Sequence, residues 1–118
     1  MPSIQHVSLE VDPGLVSAEA AFWELLGFER IEPPEGMGES SVWLGAGGQA
    51  VHLLAVEDPT VPKTGHVALV EPDLDRAARA LSAAGFPVEQ AAPHWGAERL
   101  KTTSPAGHLV ELMAAPPG

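Results

Sequence analysis

The sequence predicts an α+β protein built from two βαβββ modules in tandem, their strands forming a curled mixed β-sheet around a central cleft with the helices outside. Three observations carry that prediction. His6-Val7-Ser8-Leu9 recurs as His66-Val67-Ala68-Leu69, Leu26-Gly27-Phe28 as Ala84-Gly85-Phe86, and Val51-His52-Leu53-Leu54 as Val110-Glu111-Leu112-Met113, at offsets of 60, 58 and 59 residues. One order and nearly one offset imply a duplicated unit of about 55 residues. Within each copy apolar residues alternate as in half-buried strands, and glycine and proline clusters separate the segments.

Each module opens on a strand, at residues 4–11 and 65–70. A helix follows. In the second module Leu74, Ala77, Ala78, Leu81 and Ala84 trace one helical stripe, with Asp73 as N-cap and Gly85 as the stop. In the first, Leu15, Ala18, Phe22, Leu25 and Leu26 form the expected stripe, Asp12 and Ser17 compete as N-cap, and Gly27 ends the helix. Three β segments then complete each module, at 28–32, 40–44 and 49–56, and at 87–91, 98–104 and 108–114. Pro33-Pro34-Glu35-Gly36, Gly45-Ala46-Gly47-Gly48, a loop holding Pro93, and Pro105-Ala106-Gly107 punctuate them. Module 1 covers about residues 1–57, a linker 58–63, and module 2 about 64–115. At 118 residues the chain has room for one domain.

Alternation places the polar residues. Val7, Leu9 and Val11 share the face that suits a helix, leaving His6, Ser8 and Glu10 opposite. Val67 and Leu69 repeat the apolar set and oppose His66. Val51 and Leu53 oppose His52, and Val110 and Leu112 oppose Glu111. His6, His52, His66 and Glu111 are therefore expected on the faces away from the helices, converging if the strands curl together. Imidazoles plus a carboxylate suit Zn, Ni, Co, Mn or Fe(II), and two His with one carboxylate leave coordination positions open. Glu111 lies in the apolar run Leu109-Val110-Glu111-Leu112-Met113, where an unpaired buried carboxylate is costly, so it should face solvent or a cation.

Composition narrows the function. The formal charge is −10, from six Lys+Arg and sixteen Asp+Glu. Such a chain lacks the basic stripe that nucleic-acid binding needs. No apolar run reaches the roughly 20 residues of a membrane span. Met1-Pro2-Ser3-Ile4 does not begin a secretion signal, so a cytoplasmic location is expected. Cysteine is absent, which excludes thiolate ligands and a cysteine nucleophile.

These residues resemble the vicinal oxygen chelate superfamily: glyoxalases, fosfomycin-resistance transferases, extradiol dioxygenases, methylmalonyl-CoA epimerase and bleomycin-resistance proteins. His6-Val7-Ser8-Leu9-Glu10-Val11 resembles the opening strand with its ligand histidine. Phe22-Trp23-Glu24-Leu25-Leu26-Gly27-Phe28 resembles the helix end and its stop. Ser104-Pro105-Ala106-Gly107-His108-Leu109-Val110-Glu111-Leu112 is similar to the closing turn and strand, though that turn usually carries Asp where this chain has Ser104 and Ala106. His66 falls at the second ligand position and His52 at a fourth, usually Glu or Gln.

The resemblance implies a single glyoxalase-like domain, a homodimer, and a divalent metal held by His6, His66 and Glu111, with His52. The expected activity is that of a lyase or isomerase, with dioxygenase next, on a small substrate with vicinal oxygens. Glu10 or Glu111 would serve as the catalytic base. The alternative is a metal-free drug- or metabolite-binding protein of the bleomycin-resistance type, with Trp43 or Trp95 against a flat cationic ligand that the charge of −10 would attract. Arg99 and Lys101 are the nearest candidates for an anionic group, unless they are edge-strand charges that discourage pairing.

Overall fold

A computed structural model describes residues 1–38 and 40–118. The chain divides into two compact units, Met1–Val61 and Pro62–Gly118. The first holds β1 (His6–Val11), a 3-10 turn (Pro13–Leu15), α1 (Val16–Leu25), β2 (Glu29–Ile31), β3 (Val42–Ala46) and β4 (Gln49–Ala55). The second holds β5 (His66–Val70), α2 (Leu74–Ala83), β6 (Glu89–His94), β7 (Ala97–Thr103) and β8 (Leu109–Met113). The βαβββ unit thus occurs twice. Each forms a four-stranded mixed sheet, in the orders β1-β4-β3-β2 and β5-β8-β7-β6. The first and last strands of each unit pair in parallel, and the remaining ladders are antiparallel.

The repeated Gly-Phe sequence is a helix-ending device. After α1 the Phe28 amide donates to Trp23 O and the Gly27 amide to Glu24 O, with Gly27 at φ +104°. After α2 the Phe86 amide donates to Leu81 O and the Gly85 amide to Ser82 O, with Gly85 at φ +87°. Both are Schellman motifs, in which the left-handed residue is glycine because a Cβ there would be strained. The apolar contact that accompanies this motif is visible in the first unit, where the Phe28 ring meets Trp23 edge-on at 5.4 Å.

The helix starts differ between units. Asp73 caps α2, its Oδ1 accepting from the Arg76 amide at 3.2 Å. Asp12 accepts from the Gly14 amide at 2.8 Å, but it caps the 3-10 turn; α1 begins later without a side-chain cap, and Ser17 lies inside it.

The buried face of α1 departs from the expected stripe. Glu19, Ala20, Phe22 and Trp23 are buried, whereas Leu15 and Ala18 are exposed and Leu25 and Leu26 only partly covered. A carboxylate can turn inward here because Trp23 Nε1 donates to Glu19 Oε2 one turn away, at 3.1 Å. Trp23 is fully buried, and α1 lies against β2, β3 and β4. In α2 the expected stripe is buried at Leu74, Ala77 and Leu81, while Ala78 is only partly covered and Ala84, at the C-cap, is exposed.

Strand boundaries shift by one to three residues, and two of the shifts have a local cause. β3 runs on to Ala46, and Gly47 and Gly48, both at positive φ, make the two-residue turn into β4. Pro93, expected in a loop, lies within β6, whose register against β7 is broken between Ala91 and His94. An edge strand tolerates proline at such a bulge because no ladder partner needs its missing N–H. In the closing turn Ser104 Oγ accepts from the His108 amide at 3.0 Å, so a short polar side chain still holds the corner.

Glu19→Leu is expected to lower unfolding free energy by about 1–3 kcal/mol by orphaning the buried indole N–H, while Glu19→Gln, which keeps an acceptor, should lose much less. Leu100→Ala, at a fully buried β7 position, is expected to cost about 2–5 kcal/mol. Urea denaturation of the three variants tests both statements.

Candidate functional site

Register decides which candidate side chains meet. In the first unit His6 pairs with Ala50 and Ser8 with His52 across the parallel β1–β4 ladder. His6 and His52 are therefore diagonal neighbours on one face. In the second, His66 pairs with Leu109 and Ala68 with Glu111 across β5–β8, which makes His66 and Glu111 the equivalent diagonal. Duplication has placed a pair of metal-ligand residue types at the same register position in each unit.

In the first unit the pair is set against an aromatic ring. Trp43 lies opposite His52 on β3 and stacks on it, with centroids 4.1 Å apart at 11°. His6 meets the same indole edge-on at 4.9 Å and lies 6.4 Å from His52, centroid to centroid. His6 Nδ1 donates to Gln5 Oε1 at 2.7 Å, which leaves Nε2 outside that bond. His52 is buried; that burial and, second, the neighbouring His6 hold its imidazole below its ordinary value of 6.5, so it stays neutral at neutral pH. A neutral imidazole is the form that ligates metal. Trp43 Nε1 is buried with no hydrogen-bond partner among the described residues.

The second unit is built from charge. His66 Nδ1 lies 2.9 Å from the Thr64 carbonyl oxygen, which can only accept, so Nδ1 is the donor there and Nε2 is the nitrogen turned toward Glu111. Nε2 stands 3.5 Å from Glu111 Oε2. A lone pair and a carboxylate oxygen at that separation repel unless a proton or cation shares the gap. Ligands on a tetrahedral ion at bonds of ~2.1 Å are roughly 3.4 Å apart, so this pair fits one edge of such a site. Holding the distal N–H of a histidine on a carbonyl is also how metal-binding imidazoles are oriented.

Of the two surroundings expected for Glu111, solvent or a cation, the structure shows a cation, and it is within the chain. Arg99 Nε donates to Glu111 Oε1 at 2.6 Å, its Nη2 donates to the same oxygen, and Nη1 donates to Ala92 O at 2.6 Å. Both partners are nearly buried, with side chains 11% and 7% exposed. Arg99 and Lys101 are on β7, an interior strand, so the edge-charge alternative fails. They lie beside Glu111 because Lys101 is its direct cross-strand partner and Arg99 is one diagonal away.

The remaining candidates sit apart from these pairs. Glu10 Oε1 accepts from the Thr60 amide at 2.9 Å. Trp95 is half exposed at φ +43°, its Nε1 donating to Ala115 O at 2.8 Å, with the Arg99 guanidinium 6.0 Å from its ring centroid. Among the described residues no three His, Asp or Glu side chains form a group that could hold a metal ion; each unit supplies a pair. Sequence reasoning missed Gln5 and Thr64, which orient the two histidines; both adjoin or closely precede the histidine they hold, which is the only signal of them.

A family model for the Glyoxalase/Bleomycin resistance protein/Dioxygenase superfamily matches residues 6–112. The chain belongs to this superfamily. Solved structures agree in fold. A protein from Bacillus anthracis assigned to the glyoxalase family is 24% identical, with a TM-score of 0.85 over 96% of this chain and 94% of that one. The fosfomycin resistance protein FosX from Listeria monocytogenes is 16% identical, with a TM-score of 0.79 over 98% and 93%. TnmS3, an antibiotic-binding protein from Streptomyces sp. CB03234, is 17% identical, with a TM-score of 0.74 over 96% and 95%. No curated protein matches the chain. No helix among the described residues is long and apolar enough to cross a membrane.

Removing Arg99 strands a buried carboxylate. Arg99→Met is expected to destabilise metal-free protein by about 3–5 kcal/mol, and the double variant Arg99→Met, Glu111→Leu to recover most of that loss. Guanidinium denaturation in the presence of a chelator, run as a double-mutant cycle, measures both.

Proposed function

We propose that this superfamily member is a divalent-metal-dependent enzyme, a lyase or isomerase first and a dioxygenase second, acting on a small substrate with vicinal oxygens. The observation that carries the reading is the orientation of His66 and Glu111. One ring nitrogen is fixed by a backbone carbonyl, and the other faces a carboxylate oxygen at 3.5 Å. His6, His52, His66 and Glu111 are the residues from which the ligands are drawn. A bound divalent ion would supply Lewis-acid stabilisation of negative charge developing on a substrate oxygen.

The chain's own residues do the rest. Gln5 and Thr64 fix the tautomers of His6 and His66. Arg99 holds Glu111 Oε1 and leaves Oε2 toward His66. Glu10, on the same strand face as His6, and Glu111 are the proposed proton acceptors. The proposal is completed by a cytoplasmic homodimer that binds neither nucleic acid nor membrane.

The Arg99–Glu111 pair favours a second reading. A guanidinium already balances the carboxylate, as a metal-free binding protein of the bleomycin-resistance type would need. Trp43 and Trp95 would then contact the ligand. Elemental analysis separates the two. Untagged protein is expected to carry a divalent ion after purification or after the ion is offered. His66→Ala, at a half-exposed position, should lose most of it while staying folded, and His94→Ala should keep it. Protein that takes up no divalent ion favours the binding module; full retention in His66→Ala refutes the ligand assignment.

A further inference from the structure

We propose that the second unit holds the oxyanion end of a small substrate, a carboxylate or phosphate group, in a cavity between Lys63 and Lys101. The cavity measures about 140 Å³ and is lined by Lys63, Thr64, His66, Lys101, Leu109 and Glu111 among others. A water occupies ~30 Å³ in the liquid, so the space suits a headgroup with a short apolar stub, for which Leu109 is the wall.

Charge is the first argument. The chain has only six Lys+Arg against sixteen Asp+Glu, yet Lys63 and Lys101 line this cavity and Arg99 grips the carboxylate in its wall. Arg99 offsets Glu111, the one carboxylate of those six lining residues. Among the described residues neither lysine has a carboxylate within ion-pair distance, although Glu89 and Glu111 are the cross-strand neighbours of Lys101. Charges farther than about 8 Å are screened at physiological salt, and the residues that line the cavity themselves carry two ammonium groups against one carboxylate that Arg99 already holds.

The duplication supplies the second argument. In the first unit the residue opposite His52, where Lys101 stands opposite Glu111, is Trp43. An offset of 60 from Lys63 falls on Ser3. One copy of the unit presents imidazole and indole, the other ammonium groups. The divergence therefore confines the oxyanion-holding chemistry to the second unit.

The inference deepens the functional reading, because the same cavity contains His66 and Glu111, but its test needs no metal. The full chain, treated with chelator, is titrated with acetate, with inorganic phosphate and with potassium chloride at matched ionic strength, following backbone amide chemical shifts. Saturable shifts at Thr64, Lys101 and Glu111 are expected with at least one oxyanion and not with chloride. Acetate alone identifies a carboxylate, and phosphate alone a phosphate ester. Lys63→Met and Lys101→Met, both at exposed positions, should each weaken binding about tenfold or more. No response beyond that of chloride, or variants that bind as tightly as the unchanged chain, would overturn the oxyanion site. If metal uptake is intact in that case, the functional reading survives and this inference alone is lost.

Discussion

The parallel ladder between the first and last strands of each unit is the constraint on which everything else hangs. β1 with β4, and β5 with β8, bring together segments about forty residues apart in sequence. Their register sets His6 diagonal to His52 and His66 diagonal to Glu111. A slip of one residue would turn His52 and Glu111 onto the helix-facing side and expose Val51 and Val110. Burial of Val51, Leu53, Val110 and Leu112 therefore fixes the polar diagonals as a by-product of making a core.

With the frame duplicated, the chemistry has been free to diverge. The first unit sets two imidazoles around an indole on its diagonal, with His52 buried. The second has put a carboxylate at the corresponding place, and a buried carboxylate is tolerated only with a charged partner and hydrogen bonds. Arg99 provides both, and in doing so divides the carboxylate: one oxygen is committed to the guanidinium and the other faces His66. The same pair that makes Glu111 affordable thereby determines how much of it any ligand can use.

The helices show how a single polar contact can outweigh a pattern. Counting apolar spacing points α1 inward along Leu15, Ala18, Phe22, Leu25 and Leu26. Phe22 of that set is buried, but the helix turns to bury Trp23 and Ala20 beside it and leaves the leucines at the margin, because the large indole removes more apolar surface from water than a leucine does. Glu19 comes along because its carboxylate satisfies the indole N–H. No such competition exists in α2, where Leu74, Ala77 and Leu81 have no aromatic rival, and there periodicity found the buried face up to the exposed C-cap Ala84.

The sequence by itself determined the two βαβββ units, the order of their strands' roles, the glycine-ended helices, and the face on which His6, His52, His66 and Glu111 lie. These follow from local rules: alternation, left-handed glycine, and repetition. It also left Glu111 two ways out, solvent or a cation, since an unpaired carboxylate buried in an apolar strand is too costly. Only the tertiary structure named that cation as Arg99, because cross-strand register joins residues that no local pattern links. It likewise showed that Thr64 and Gln5 orient the histidines, and that Lys63 and Lys101 line one cavity. Hydrogen-bond direction and cavity shape depend on where separate strands come to rest against each other, and chain spacing does not encode that.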